Sequence, residues 1–315
     1  MIEKNPELAK KKITMPSIIQ SFVSRMLRLY PFYSGCGTLA NTSLVKKING
    51  NNSEKVWCRV PGGEILAPLD DYIGRAAYYV GDLDRKIIWI CKQIVNKRDT
   101  VLDIGANIGQ VSVLLSKQVG SEGKVYSFEP NPELYDCLNK VIERNKLLNV
   151  SLYPVALGRT EGNLNLRIPK INRGKGSLIR HTEANNEDVD VVNVPVQTLS
   201  KVLEDELIES IKLIKIDVEG FEAEVLDGAH KILDSIRPQS ILFEFNKSQI
   251  EGTFSEQPIF KILCQYGYKF FSIPKCIFKM RLERFNPYEE NKVTSNDFLA
   301  VLDEEVYNKL LKYSK

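Results

Sequence analysis

Two stretches of the chain set carboxylates beside glycines at the ends of short apolar runs. The first is Thr100-Val-Leu-Asp-Ile-Gly-Ala-Asn-Ile-Gly-Gln110. A β-branched, apolar run reaches Asp103. Gly105 and Gly109 follow, with Ala106, Asn107 and Ile108 between them, and a new apolar run begins at Val111. The pattern predicts a buried strand, a glycine turn and a helix N-terminus. Glycine admits positive φ and a close ligand approach, and the first N–H groups of a helix lack partners within it. The second stretch is Lys215-Ile-Asp-Val-Glu-Gly-Phe-Glu222, where Asp217 and Glu219 lie just past an apolar strand.

The spacing restricts the ligand. A dinucleotide fingerprint reads G-x-G-x-x-G, whereas here Gly-x-x-x-Gly follows an acid. No Gly-Lys-Ser/Thr comes after the glycines, so a phosphate-binding loop is excluded. An acid ahead of the turn repels a pyrophosphate and suits a cationic or zwitterionic ligand. S-adenosylmethionine (SAM), with a sulfonium and an amino group, is such a ligand. Glu129 closes the next strand, about twenty residues past the glycines, where a βαβ unit offers an acid to both ribose hydroxyls.

With Asp103-Ile-Gly-Ala-Asn-Ile-Gly109, Phe128-Glu-Pro-Asn-Pro132 and Lys215 to Glu222 in this order, the chain resembles class I SAM-dependent methyltransferases and, more narrowly, the FkbM family. The resemblance covers roughly residues 71–302. It implies SAM as cofactor, held by Asp103, Gly105, Ala106, Asn107, Gly109, Glu129 and Pro130. It further implies that Asn107 orients the methionine end and that Ala156 and Leu157 pack near the adenine. The tip of the fourth strand would face the transferred methyl group. Methyl transfer needs an aligned nucleophile whose proton is taken up, and a sugar hydroxyl is a very weak acid. Asp217 is the first candidate for base or orienting group, Glu219 the second. His181, in the inserted loop that the resemblance brings near the acceptor, is a rival base. Of the two histidines, His230 reads as structural. Asp217, Glu244 and Asn246 could offer oxygen ligands to a metal, but nothing fixes their spacing and no metal is expected. Asn286-Pro-Tyr288 lacks the second proline and the position of the motif in amino-group methyltransferases, and reads as a loop.

From Thr100 the pattern alternates strand and helix, with strands expected over 100–104, 124–128, 150–155, 211–216, 240–245, 268–273 and 297–302. This predicts an α/β, doubly wound, mostly parallel, seven-stranded Rossmann-like methyltransferase sheet with an antiparallel last strand. Alternating residues over 163–168 and 189–196 suggest an antiparallel β-hairpin inserted after the third strand. Residues 1–80 read as an N-terminal extension, helical and partly irregular, and 81–315 as the methyltransferase domain.

A 315-residue chain with 43% hydrophobic residues supports a full core, and its net charge of +3 shows no basic stripe for nucleic acid. Six cysteines without a C-x-x-C pair read as reduced thiols of a cytosolic protein. There is no apolar run of about eighteen residues and no signal-peptide core. A cytoplasmic protein without a transmembrane segment is expected. Residues 17–30 are amphipathic and modestly basic. They are expected to pack on their own domain or on a second subunit, giving a homodimer through the extension; contact with a membrane surface is the other reading. The function expected is O-methylation of a hydroxyl on a sugar, glycan or related small metabolite. Methylation of RNA or protein, and a non-catalytic SAM-fold subunit, are the alternatives. The intact Asp103, Gly105, Gly109 and Glu129 count against the last.

Overall fold

A computed structural model describes residues 12–50, 54–169, 172–179, 189–246, 252–289, 293 and 295–314. The main sheet is built from β1 (Thr100–Ile104), β2 (Lys124–Phe128), β3 (Val150–Tyr153), β4 (Leu213–Ile216), β5 (Ser240–Glu244), β6 (Lys269–Ser272), β7 (Glu283–Phe285) and β8 (Asp297–Val301). Their order is β7-β6-β8-β5-β4-β1-β2-β3. The five strands from β5 to β3 run parallel, whereas β8 is antiparallel to both β5 and β6. Strand alternation sends Leu102 and Ile104 into one core and Val101 into the other, so both faces are covered, as a parallel sheet requires.

Among the described residues this sheet has eight strands, not seven. The additional strand is β7, antiparallel to β6, with Phe285 opposite Phe270. Three residues with alternating charge carry no strand periodicity of their own. The insertion after β3 also exceeds a hairpin. Gly162–Pro169 pairs antiparallel with Val189–Gln197 over its full length, Ser177–Ile179 adds to one edge, and Ala156–Leu157 runs parallel on the other. This four-stranded sheet has a small core of Ala156, Leu166, Ile168, Val194 and Val196.

The chain before β1 closes over the same end of the main sheet. Lys55–Val60 and Gly63–Pro68 form an antiparallel pair. Asp71 caps the helix Tyr72–Val80, accepting from the N–H groups of Ile73 and Gly74, which satisfies two orphan donors of the first turn. Val56, Ile65 and Tyr79 share a core with Leu134, Leu138 and Val141 of the helix Pro132–Asn145. No helix among the described residues is long and apolar enough to cross a membrane.

Candidate active site

The carboxyl ends of β1, β2, β4 and β5 surround a cavity of about 290 Å³, at the small end of the range for ligand sites. Gly105 and Gly109 make the turn after β1 with φ of +75° and +86°. A Cβ on Gly105 would lie 1.9 Å from the carbonyl oxygen of Asp217, so only glycine lets the two strand tips meet. Gly109 is the N-cap of the helix Gln110–Val119; it lies outside the cavity lining and shapes the turn.

Glu129 is buried. One of its carboxylate oxygens accepts from the N–H of Asn107 at 2.7 Å and the other from the N–H of Asn131 at 2.8 Å. Burial pushes its pKa up to about 7 against these two bonds. Asn107 itself sits at φ +55° and turns its amide oxygen to the N–H of Ile108. Ala106, Asn107, Glu129, Pro130, Ala156 and Leu157 all line the cavity.

Asp103 is the departure from expectation. It is fully buried and lies outside the cavity lining. Ser112 Oγ donates to one of its oxygens at 2.6 Å, and Lys215 Nζ stands 3.2 Å from the other. Its charge therefore reaches the cavity through Lys215, its register partner on β4. Lys215 Nζ also donates to the carbonyl of Gly105 at 2.6 Å and lies 3.6 Å from Asp217. Burial works against the ammonium, but Asp103, Asp217 and Glu129 outweigh it and hold its pKa above the usual lysine range.

Past β4 and β5, one carboxylate oxygen from each of Asp217, Glu219 and Glu244 lies within 4.8 Å of the others. Asp217 is exposed and the other two are half-buried. Burial first, then Asp217, Asp297 and Glu219, push Glu244 up to about 7, so near neutrality the trio shares its charge with a proton. Glu219 takes the left-handed conformation, φ +53°. His181 lies outside the described residues. His230 opens the helix His230–Ser235 and does not line the cavity.

The methyltransferase FkbM domain matches residues 103–270. The chain belongs to the FkbM methyltransferase family. It is 27% identical over 198 residues to the hexuronic acid methyltransferase AglP of Haloferax volcanii, which covers 57% of this chain and 76% of that protein. It is 31% identical over 166 residues to the methyltransferase sdnD of Sordaria araneosa, covering 44% of this chain and 64% of that protein. The crystal structure of an FkbM methyltransferase from Methylobacillus flagellatus superposes with a TM-score of 0.37 at 11% identity, over 89% of this chain and 58% of that one.

SAM is the cofactor of this FkbM-family enzyme, and the cavity fits it. Each oxygen of Glu129 holds one backbone N–H and keeps a second acceptor direction, which suits two ribose hydroxyls. Phe128, Val155, Ala156 and Leu157 give an apolar wall for a base, and Asp82, Glu129 and Asp217 face a ligand with two cationic groups. Three lining residues escaped the sequence reading. Asp82 is buried, accepts from Gln110 Nε2 at 2.5 Å, and is pushed up to about 7 by burial and then by Asp84. Lys215 was findable: it lies on β4 two positions before Asp217, which stands just past the strand end, and a spacing of two keeps the face. Arg173, which sits on the inserted sheet, had no sequence signal.

Proposed function

We propose that this SAM-dependent methyltransferase O-methylates a hydroxyl of a neutral sugar, a glycan or a related polyol. The observation that carries the reading is the carboxylate trio at the tips of β4 and β5. SAM supplies an electrophilic methyl group on a sulfonium. The chain supplies the rest: Asp217 orients the acceptor hydroxyl from the open side, and Glu244, with a pKa of about 7, takes up its proton at neutral pH. Glu219 holds a second hydroxyl of the same acceptor. His181 remains the rival base.

Charge selects the acceptor. Asp82, Asp84, Asp217, Glu219, Glu244 and Asp297 line the cavity against Lys215 and Arg173. Such a wall repels phosphates and so disfavours RNA. It disfavours a uronic acid for the same reason, although the relative named above acts on a hexuronic acid. The division into an extension through residue 80 and a methyltransferase domain over 81–315 belongs to this reading, with the extension forming one wall through Tyr72 and Ile73.

The test is transfer of a labelled methyl group to a panel of neutral glycosides, uronic-acid glycosides, RNA and protein. Neutral glycosides should be methylated best. Asp217→Asn and Glu244→Gln should each lower kcat by about 10²–10⁴ while SAM affinity is largely kept. Methylation of RNA or protein in place of sugars would overturn the reading, and full activity in both variants would move the base to His181.

A further inference from the structure

Glu244, the last residue of β5, stands opposite Asp297, the first of β8, in the antiparallel register. Residues paired in this way share one face with Cβ atoms about 4.5–5.5 Å apart, and like charges there repel. Both carboxylates line the cavity. The fold therefore sets two acids against each other at the strand ends where the acceptor's proton must go.

A third residue makes the two acids unequal. Lys86 Nζ lies 2.5 Å from Asp297 Oδ2, and Ser295 Oγ donates to the same oxygen at 3.3 Å. Lys86 is buried and does not itself line the cavity. It is an unfavourable place for an ammonium. Lys86 is the second residue of the helix Arg85–Ile94, where the helix dipole opposes a cation. Burial opposes it too, but Asp84 and Asp297 outweigh the burial and hold its pKa above the usual lysine range. Asp84 Oδ2 is 4.0 Å from Nζ, and the carboxylate is also engaged as N-cap by the N–H groups of Lys86 and Ile87. Glu244 has no such partner. Among the described residues no ion pair reaches it, and Lys215, the cation of neighbouring β4, is paired with Asp103 and Asp217. The groups that face Glu244 are Asp217 and Glu219 past β4, Asp297 on β8 and the amide of Asn296. Those that face Asp297 are Lys86, Asp84, Ser295 and Glu244, and the thiol of Cys276 lies near Lys86.

Of two carboxyls that share a site, one keeps a proton to higher pH, and it is the one whose charge is less well compensated. We propose, on the reading that Glu244 takes up the acceptor's proton, that Lys86 is a positioning residue for methyl transfer: by pairing with Asp297 it places the shared proton on Glu244. Glu244 is then the acid that gains and loses a proton as the acceptor reacts, while Asp297 stays in its ion pair. Without Lys86 the proton would divide between the two strands, and the base would have no single site.

The experiment is carbon NMR of the full chain with the side-chain carboxyls of Asp and Glu labelled, titrated in pH without acceptor. Glu244→Gln and Asp297→Asn assign the two signals. In the wild type the Glu244 signal should titrate around pH 7, while the Asp297 signal keeps its carboxylate position over the same range. In Lys86→Met, unbranched and uncharged, the Asp297 signal should titrate together with that of Glu244. In Asp297→Asn, Glu244 should hold its proton about tenfold less tightly, because one facing charge is gone. Retained SAM binding by calorimetry shows that each variant is folded; should Lys86→Met fail to fold, the wild type and Asp297→Asn still decide. An Asp297 signal that titrates with Glu244 in the wild type, or that stays still in Lys86→Met, overturns the proposal. So does a Glu244 midpoint that Asp297→Asn leaves unchanged. No acceptor is present in these titrations, so O-methylation of glycosides can fail in its own assay while the placement of the proton by Lys86 holds.

Discussion

Glu129 grips the backbone of both its neighbours in the cavity wall, Asn107 and Asn131, before any ligand arrives. Its carboxylate is therefore preorganised, and a bound ribose pays little to order it. Glu129→Ala should weaken SAM binding by about 2–4 kcal/mol, because charge-assisted hydrogen bonds contribute about 1.5–3 kcal/mol each and do not add fully. Calorimetric titration of SAM measures this directly; affinity within error of wild type would remove Glu129 from the ribose site. At this scale the sequence was readable where a residue ends a strand. Glu129 and Asp217 follow directly from the strand pattern. For Asp103 the pattern locates a strand end but does not say which face the side chain takes. Burial among Ser112, Ser127 and Lys215 makes it a positioning residue for the ammonium.

One short element closes the cavity. The turn Arg173–Lys175 of the inserted sheet crosses to the N-terminal chain, and Arg173 pins it there. Its N–H donates to Asp71 at 2.7 Å, its guanidinium takes both oxygens of Asp70 at 3.0 and 3.1 Å, and Nε lies 3.0 Å from Glu133. Gly174 packs so tightly that a Cβ would sit 2.1 Å from Ile73 and 2.2 Å from the Asn107 amide. Three segments distant in sequence thus meet over the cofactor turn. Removing the guanidinium takes away the cation that Asp70 and Glu133 share. Arg173→Ala should open the turn at a cost of about 1.5–3 kcal/mol, read as amide exchange over residues 172–179 that is roughly ten- to a hundredfold faster. Arg173→Lys should recover only part, since an ammonium cannot match the fork of Asp70. Unchanged exchange in Arg173→Ala would mean that packing of Gly174 alone holds the turn. None of this was visible beforehand, because Asp70 and Asp71 lie about a hundred residues from Arg173 and Glu133 lies 40 away, and ion pairing leaves no periodicity. A close contact also divides the helical stretch that follows Phe221. It breaks into Glu222–Asp227 and His230–Ser235 because Gly228 abuts the carbonyl of Gly158, where a Cβ would be only 2.0 Å away. The long strands and the helix from Pro132, in contrast, carry their own alternation and caps, and their order along the chain fixed the doubly wound core.

The molecule as a whole stores repelled acids around the cofactor cavity. Asp82, Glu129, Glu222 and Glu244 are each pushed up to about 7, in every case by burial first. An acid whose pKa is higher folded than unfolded binds its proton more tightly in the fold. Folding is then favoured at low pH, and stability is lost as pH rises from about 4.5 through 7, where the folded chain holds protons that the unfolded chain has released. This is the reverse of an ordinary ion-paired carboxylate. The ligand-free enzyme should melt several degrees lower at pH 8 than at pH 5.5, given that about 1 kcal/mol moves the midpoint of a large domain by about 2–4 °C. Glu244→Gln, neutral and of the same shape, should flatten the slope and raise the pH 8 midpoint. SAM reverses the cost, because its cationic groups favour the ionised carboxylates that line the cavity. Its stabilisation, which grows with affinity, should therefore be larger at pH 8 than at pH 5.5, and the two melting curves should converge when it saturates the site. Thermal scans of wild type and Glu244→Gln with and without SAM at both pH values measure all four quantities. A ligand-free midpoint that climbs toward pH 8 would show that the buried acids are ionised and paired in the fold, and would leave Glu244 an ordinary carboxylate, a weaker base than the pKa of about 7 makes it.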